Sequence, residues 1–155
     1  MSLGSSDETG GHDEEIRRFR LRDAGREAAF FLPFLKPRMT LLDAGCGPGS
    51  ITYGLAMHTA PGEVVGIDLD STRIERASRD RRDAGTENIS YQVADVTNLP
   101  FEDGHFDAVF ANGLIEHLSD PDVGIEELLR VLKPGGVIGV RSPDWGVALL
   151  HPDTT

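Results

Sequence analysis

Five runs of four to six mostly apolar residues, separated by helical patterns, most narrow what this chain can fold into. They lie at 40–44, 64–67, 89–93, 106–111 and 137–140. Strands this short and this apolar are buried on both faces, the signature of a parallel sheet with helices above and below it. The intervening segments carry helix punctuation. Residues 51–59 read as a helix that Pro61-Gly62 ends, and Asp70 or Ser71 is placed to cap a second reaching about Ala84, with Gly85 as its terminator. Asp120-Pro121 supplies a cap and a first-turn proline for a third, whose Ile125, Leu128, Leu129 and Leu132 form one apolar stripe before the turn Lys133-Pro134-Gly135-Gly136. An earlier helical pattern runs from Asp13 to Phe31, until Pro33 and Pro37 stop it. With right-handed crossovers this alternation predicts a doubly wound, mostly parallel α/β sheet.

The whole chain bounds the possibilities further. At 155 residues it has room for one domain, read here as 13–155 behind a flexible polar tail, 1–12. That tail has no apolar centre and does not read as a signal peptide. No apolar run approaches the roughly 18 to 20 residues that cross a bilayer, so no membrane partner is expected. The single cysteine, Cys46, excludes an internal disulfide and fits a reducing compartment, with the cytoplasm as the expected location. A net charge of -11 argues against a nucleic-acid partner, whose phosphates call for clustered Lys and Arg.

The chemistry concentrates where the first strand turns into its helix, in Leu41-Leu42-Asp43-Ala44-Gly45-Cys46-Gly47-Pro48-Gly49. Open α/β sheets bind ligands at that carboxyl edge, and glycines at 45, 47 and 49 let the backbone approach one closely. The spacing is GxGxG, with Ser50 at the last position of the dinucleotide fingerprint GxGxxG. Asp43 would repel a pyrophosphate, yet it suits a ligand with an ammonium or sulfonium. The competing reading is that it only hydrogen-bonds backbone N–H groups of the loop. Asp68, at the end of the second strand, can accept from two ribose hydroxyls, whereas Asp70 reads as a helix cap. Asp95, after the third strand, can accept from an adenine amino group or simply form a turn.

These blocks together resemble the class I S-adenosylmethionine-dependent methyltransferases, in particular the type 11 group similar to the ubiquinone and menaquinone C-methyltransferases. The resemblance spans about residues 22–146 and rests on LLDAGCGPGS at 41–50, VVGID at 64–68, VADVTNLPFEDGHFDAVFANGLIEHL at 93–118 and RVLKPGG at 130–136. It implies a Rossmann-like sheet ordered 3-2-1-4-5 and S-adenosyl-L-methionine as cofactor, with a small-molecule methyl acceptor as partner. Asp43 with Gly45, Cys46, Gly47 and Gly49 would cradle the methionine end. Asp68 and Leu69 would hold the ribose and adenine, Asp95 and Val96 the adenine, and Asn112 would lie beside the methionine moiety or methyl group. Catalysis in such enzymes is mostly positioning. His117 is the candidate base where the acceptor must lose a proton; its competing reading is packing near the cofactor, and Glu116 is open between the same roles. Arg17, Arg18, Arg20 and Arg22 read as a solvated helix face, with Arg22 the one placed to reach the cofactor. No spacing among histidines, Cys46 and carboxylates suggests a metal site.

The family fold has a further helix and a C-terminal 7-6 hairpin after strand five. Ser142 to Thr155, with Pro143 and Pro152, are too few to supply them, so the chain reads as a C-terminally truncated domain. Trp145 would begin the acceptor pocket or merely pack. Two alternatives stand beside a methyltransferase: a cofactor-binding module without its own catalysis, and an NAD-dependent oxidoreductase, which Asp43 and the loop spacing disfavour. Strand five would become an uncharged edge, and the expectation is that the tail from Ser142 or a second copy covers it, with a tendency to self-associate.

Overall fold

The computed structural model describes residues 23–142 and 147–151. The residues read above as a tail, the start of the first helix with its four arginines, and Trp145 lie outside them. From the N-terminus come α1 (Ala24–Glu27), β1 (Leu41–Ala44), α2 (Ser50–Thr59), β2 (Val64–Asp68), α3 (Ser71–Asp83) and β3 (Ile89–Val93). Then follow β4 (Phe106–Asn112), α4 (Pro121–Val131), β5 (Leu132–Ser142) and β6 (Val147–His151). One sheet holds all six strands in the order β3-β2-β1-β4-β5-β6. The first five are parallel and β6 runs antiparallel to β5.

Side chains alternate across a strand, so a strand apolar at successive positions feeds two cores. Leu41 and Leu42 do this at the centre of the sheet, and both are fully buried. On one face Leu41, Val64, Ile89, Phe110 and Val137 pack against α2 and Phe31. On the other Leu42, Val65, Ile67, Val109 and Ile138 pack against Leu128 and Val131 of α4. The edge strand β3 is different: Ser90 and Gln92 alternate with apolar residues, and its Val93 is exposed.

Two expectations are corrected and a third is borne out. The first helix does not continue to Phe31 within the described residues; α1 closes at Glu27, and a 3-10 turn, Leu32–Phe34, follows with Pro33 in its first positions. Tertiary packing overrides the helical pattern, because Phe31 is drawn wholly into the core, stacked on Phe110 at 5.3 Å between ring centroids. The fifth strand starts at Leu132 rather than 137, since Leu132 already pairs with Phe106 across an irregular step that contains the glycine turn. The expectation that the tail from Ser142 covers strand five holds: Val147–His151 pairs along it, with Leu149 opposite Val140, so among the described residues the open edge belongs to β6. Its apolar residues make good strand formers, and unmet N–H and C=O groups on β5 give them partners.

The charged residues of the RVLKPGG block are structural. Arg130 donates to the carbonyls of Leu99 and Phe101 and to Asp103, and Glu127 accepts from the Leu99 N–H, which ties the loop before β4 to α4. Lys133 reaches Asp107, whose other oxygen holds the Thr40 N–H at the start of β1.

Phe31→Ala is expected to lower stability by about 3–5 kcal/mol, the range for deleting a buried aromatic ring. Urea denaturation followed by circular dichroism measures it, and a loss below about 1 kcal/mol would show that the ring does not lie in the core.

Candidate functional site

Parallel strands release their connecting loops on one edge, and the strand order sets those loops side by side. Asp95, Asp68, the loop 45–49 and Asn112 therefore follow the carboxyl ends of β3, β2, β1 and β4 in spatial order. With neighbouring strands about 4.8 Å apart, the row extends about 15 Å.

Backbone geometry builds the loop at its centre. Gly45 and Cys46 both donate their N–H to the Ile67 carbonyl, at 2.8 Å each, which holds the loop's start against β2. Gly47, at φ 54°, faces open space where a side chain would begin, a cradle that a Cβ would fill. Gly49, at φ 85°, precedes α2 without any side-chain cap, and a Cβ there would run into the Tyr91 hydroxyl. The bare start of α2 leaves N–H groups for a ligand. A narrow cleft of about 80 Å³ opens here, lined by Asp43, Gly45, Cys46, Gly47, Arg73 and Asn112 among others.

Asp43 is 3% exposed, and its Oδ2 accepts from the Thr52 hydroxyl at 2.6 Å. Burial pushes its carboxyl up from 3.8 to about 7; the Thr52 hydrogen bond works against this and the nearby Asp68 charge adds to it. Among the described residues Asp43 makes no bond to the loop's backbone N–H groups; that task falls to Asp68. Asp68 Oδ2 takes the Gly47 N–H at 3.0 Å and Oδ1 the Asp70 N–H at 2.9 Å, with Arg73 3.9 Å away. Asp70 caps α3 through the Thr72 N–H, as read from its position.

The remaining residues are spread along the edge. Leu69 is 71% exposed, a large apolar side chain beside the row, and Val96 is buried. Asp95 is exposed and bonds both the N–H and the hydroxyl of Thr97, which holds its carboxyl below the usual carboxylate range. It makes the turn, and that turn uses only Oδ1, so its other oxygen faces no protein donor among the described residues. Cys46 is buried, and burial with the Asp43 and Asp68 charges pushes its thiol up, away from the thiolate form that a nucleophile needs. His117 is exposed on the 3-10 turn Ile115–His117, and both carboxylate oxygens of Glu116 beside it are buried without a hydrogen-bond partner among the described residues. No group of three His, Cys, Asp or Glu side chains suited to a metal gathers among the described residues.

Sequence reasoning missed Thr52, Arg73, Tyr91 and the pair Glu27–Arg141. A hydroxyl on the buried face of α2 was the available signal for Thr52. Arg73 lies on α3, and only the packing of β2 against the loop brings it to the cleft.

A glycine loop over the carboxyl edge of a parallel sheet, with carboxylates at the end of β2 and just after β3, is the arrangement with which open α/β domains bind nucleoside-type ligands. Residues 42–140 match the family described as a methyltransferase domain, and the chain belongs to that family. It is 33% identical over 131 residues to an uncharacterized methyltransferase of Schizosaccharomyces pombe, covering 81% of this chain and 47% of that protein. A demethylmenaquinone methyltransferase of Desulfitobacterium hafniense is 30% identical over 125 residues, 79% of this chain and 49% of its own length. The crystal structure of a SAM-dependent methyltransferase from Aquifex aeolicus superposes with a TM-score of 0.69 at 27% identity, covering 74% of this chain and 62% of that one. The chain thus spans about half the length of these two curated relatives.

The Asp43 carboxyl carries a stability signature. Its folded value, about 7, lies above the unfolded value near 3.8, so the folded state holds the extra proton between those limits. Stability from this group is therefore highest at low pH and falls as pH rises through about 4 to 7. Asp43→Asn, which keeps an oxygen for Thr52, is expected to stabilise the chain at pH 8 by up to roughly 4 kcal/mol, and progressively less towards pH 4. Thermal melts of both proteins across that range measure it; a pH-independent difference would show that Asp43 does not titrate there.

Proposed function

We propose that the chain is the S-adenosylmethionine-binding part of a methyltransferase acting on a small-molecule acceptor. The observation that carries the reading is Asp43, a buried carboxylate under a glycine loop that opens onto a cleft. An anion in that position opposes a pyrophosphate and favours the ammonium and sulfonium of S-adenosylmethionine. The cradle at Gly47 admits the amino-acid end, and the row from the loop through Asp68 to Asp95 and Val96 suits ribose and then adenine. The Aquifex relative is named for the same cofactor. A small acceptor is supported by the demethylmenaquinone methyltransferase relative, whose named substrate is of that kind.

When bound, the cofactor supplies an electrophilic methyl group on a sulfonium. The chain's own work is then to hold that group and exclude water. Asp43 meets the positive charge, Asp68 keeps Gly47 in its turned conformation while accepting ribose hydroxyls, and Leu69 covers the adenine. In this reading His117 takes a proton from those acceptors that must lose one. The single cysteine fits a reducing compartment and supports a cytoplasmic site of action.

We also propose that copies of the chain associate through the sheet edge, now that of β6. Its Leu149 is 65% exposed, and an apolar groove of about 480 Å³ runs beside it between β5 and α4. Light scattering over a concentration series is expected to show dimers or larger species, and Leu149→Lys to remove them. A wild-type chain that stays monomeric overturns this proposal.

Calorimetric titration with S-adenosylmethionine, S-adenosylhomocysteine and NAD tests the cofactor reading. Both adenosyl ligands are expected to bind and NAD not; the reverse would sink the proposal. Asp68→Ala should weaken S-adenosylhomocysteine by about 1.5–3 kcal/mol, the range for a hydrogen bond to a charged group. Affinity should also be full above about pH 8 and fall below about pH 7, by at most about tenfold per pH unit, as Asp43 takes up its proton. Asp43→Asn should bind more weakly and lose that dependence.

A further inference from the structure

The lining of the cleft has a charge arrangement that the reading above does not use. Asn112, at the end of β4, lines the cleft and stands in register with Arg141 of β5. Arg141 Nη1 lies 3.2 Å from Asn112 Oδ1, and the same nitrogen meets the Glu27 carboxylate of α1. A guanidinium can only donate, so the amide atom facing it must be the oxygen. Asn112 therefore turns its Nδ2, with two N–H donors, away from Arg141.

Asp43, on β1 beside β4, lines the same cleft. The lining thus combines a carboxylate with an amide whose carbonyl side is occupied by an arginine. That polarity fits a free α-amino acid group, its ammonium at Asp43 and its carboxylate at the donors of Asn112. Glu27 neutralises most of the Arg141 charge at close range, so direct attraction of a carboxylate by Arg141 is weak. Orientation of the amide is the larger effect, since an Asn112 turned the other way would offer an oxygen to an anion.

We infer that Arg141, pinned by Glu27, is a positioning residue that fixes Asn112 with its N–H groups toward the cleft, where they bind the carboxylate of the cofactor's amino-acid end. This rests on the cofactor reading given above. It also couples α1 to the cleft through a single ion pair.

The test compares two ligands on the 155-residue chain by calorimetry: S-adenosylhomocysteine, and methylthioadenosine, the same nucleoside thioether without the amino-acid group. Arg141→Met and Asn112→Asp are each expected to weaken S-adenosylhomocysteine about tenfold or more, and methylthioadenosine by less than about twofold. Asn112→Asp keeps an oxygen for Arg141 but replaces the donors with a negatively charged acceptor, both changes opposing a carboxylate. Arg141→Lys should recover part of the loss, and Glu27→Gln should show a smaller loss confined to the same ligand. Equal losses on both ligands would mean that the network only supports the fold, and unchanged S-adenosylhomocysteine binding would remove Arg141 from the site; either overturns the inference. A wild-type chain that binds neither ligand would overturn the cofactor reading itself.

Discussion

Everything in this molecule depends on β1 being the centre of a parallel sheet. It pairs with β2 on one side and β4 on the other, in the same direction, and its two leucines are fully buried on opposite faces. Parallel pairing sends every following loop to one edge, and central position places the glycine loop between the ends of β2 and β4. Chemistry that is scattered over seventy positions of sequence, from Asp43 to Asn112, becomes a row about 15 Å long. The sheet is therefore the device that makes one site from several loops.

The site holds its charges at some expense of stability. Asp43 and Asp68 lie close enough for one to raise the other, and burial raises Asp43 further. Such an arrangement is unfavourable until something positive arrives. Asp68 offsets part of its own desolvation by accepting from two backbone N–H groups, and Arg73 stands nearby. Asp43 has a single hydroxyl. The contrast separates a carboxylate that organises the loop from one that does not, and in the proposed reading the latter, Asp43, is the one that meets the cofactor's positive charge.

Much of this was legible in the chain, and what escaped has common causes. Asp70, Asp120 and Gly85 mark helix ends through contacts spanning three or four residues, so their neighbours in sequence identify them. The blocks around Asp43, Asp68 and Asp95 sit at strand ends, which local pattern also reveals. By contrast Arg141 meets Glu27 across more than a hundred residues, and neither has any local mark that distinguishes it from a solvated charge. The same holds for α1, where a helical pattern through Phe31 yielded to the demand that this ring be buried on Phe110.

What the sequence determined by itself was the order of strands and helices, the turn chemistry and the set of carboxylates, because each follows from periodicity and from backbone preferences acting over a few residues. Only the tertiary structure decided which of those carboxylates would be wired and which left bare, where β5 begins, and that the segment from Val147 would become a sixth strand. The physical reason is that burial, hydrogen-bond satisfaction and sheet pairing are properties of residues distant in the chain. A desolvated Asp43, an Asn112 turned by Arg141 and an edge strand answered by β6 exist only once the sheet has closed around them.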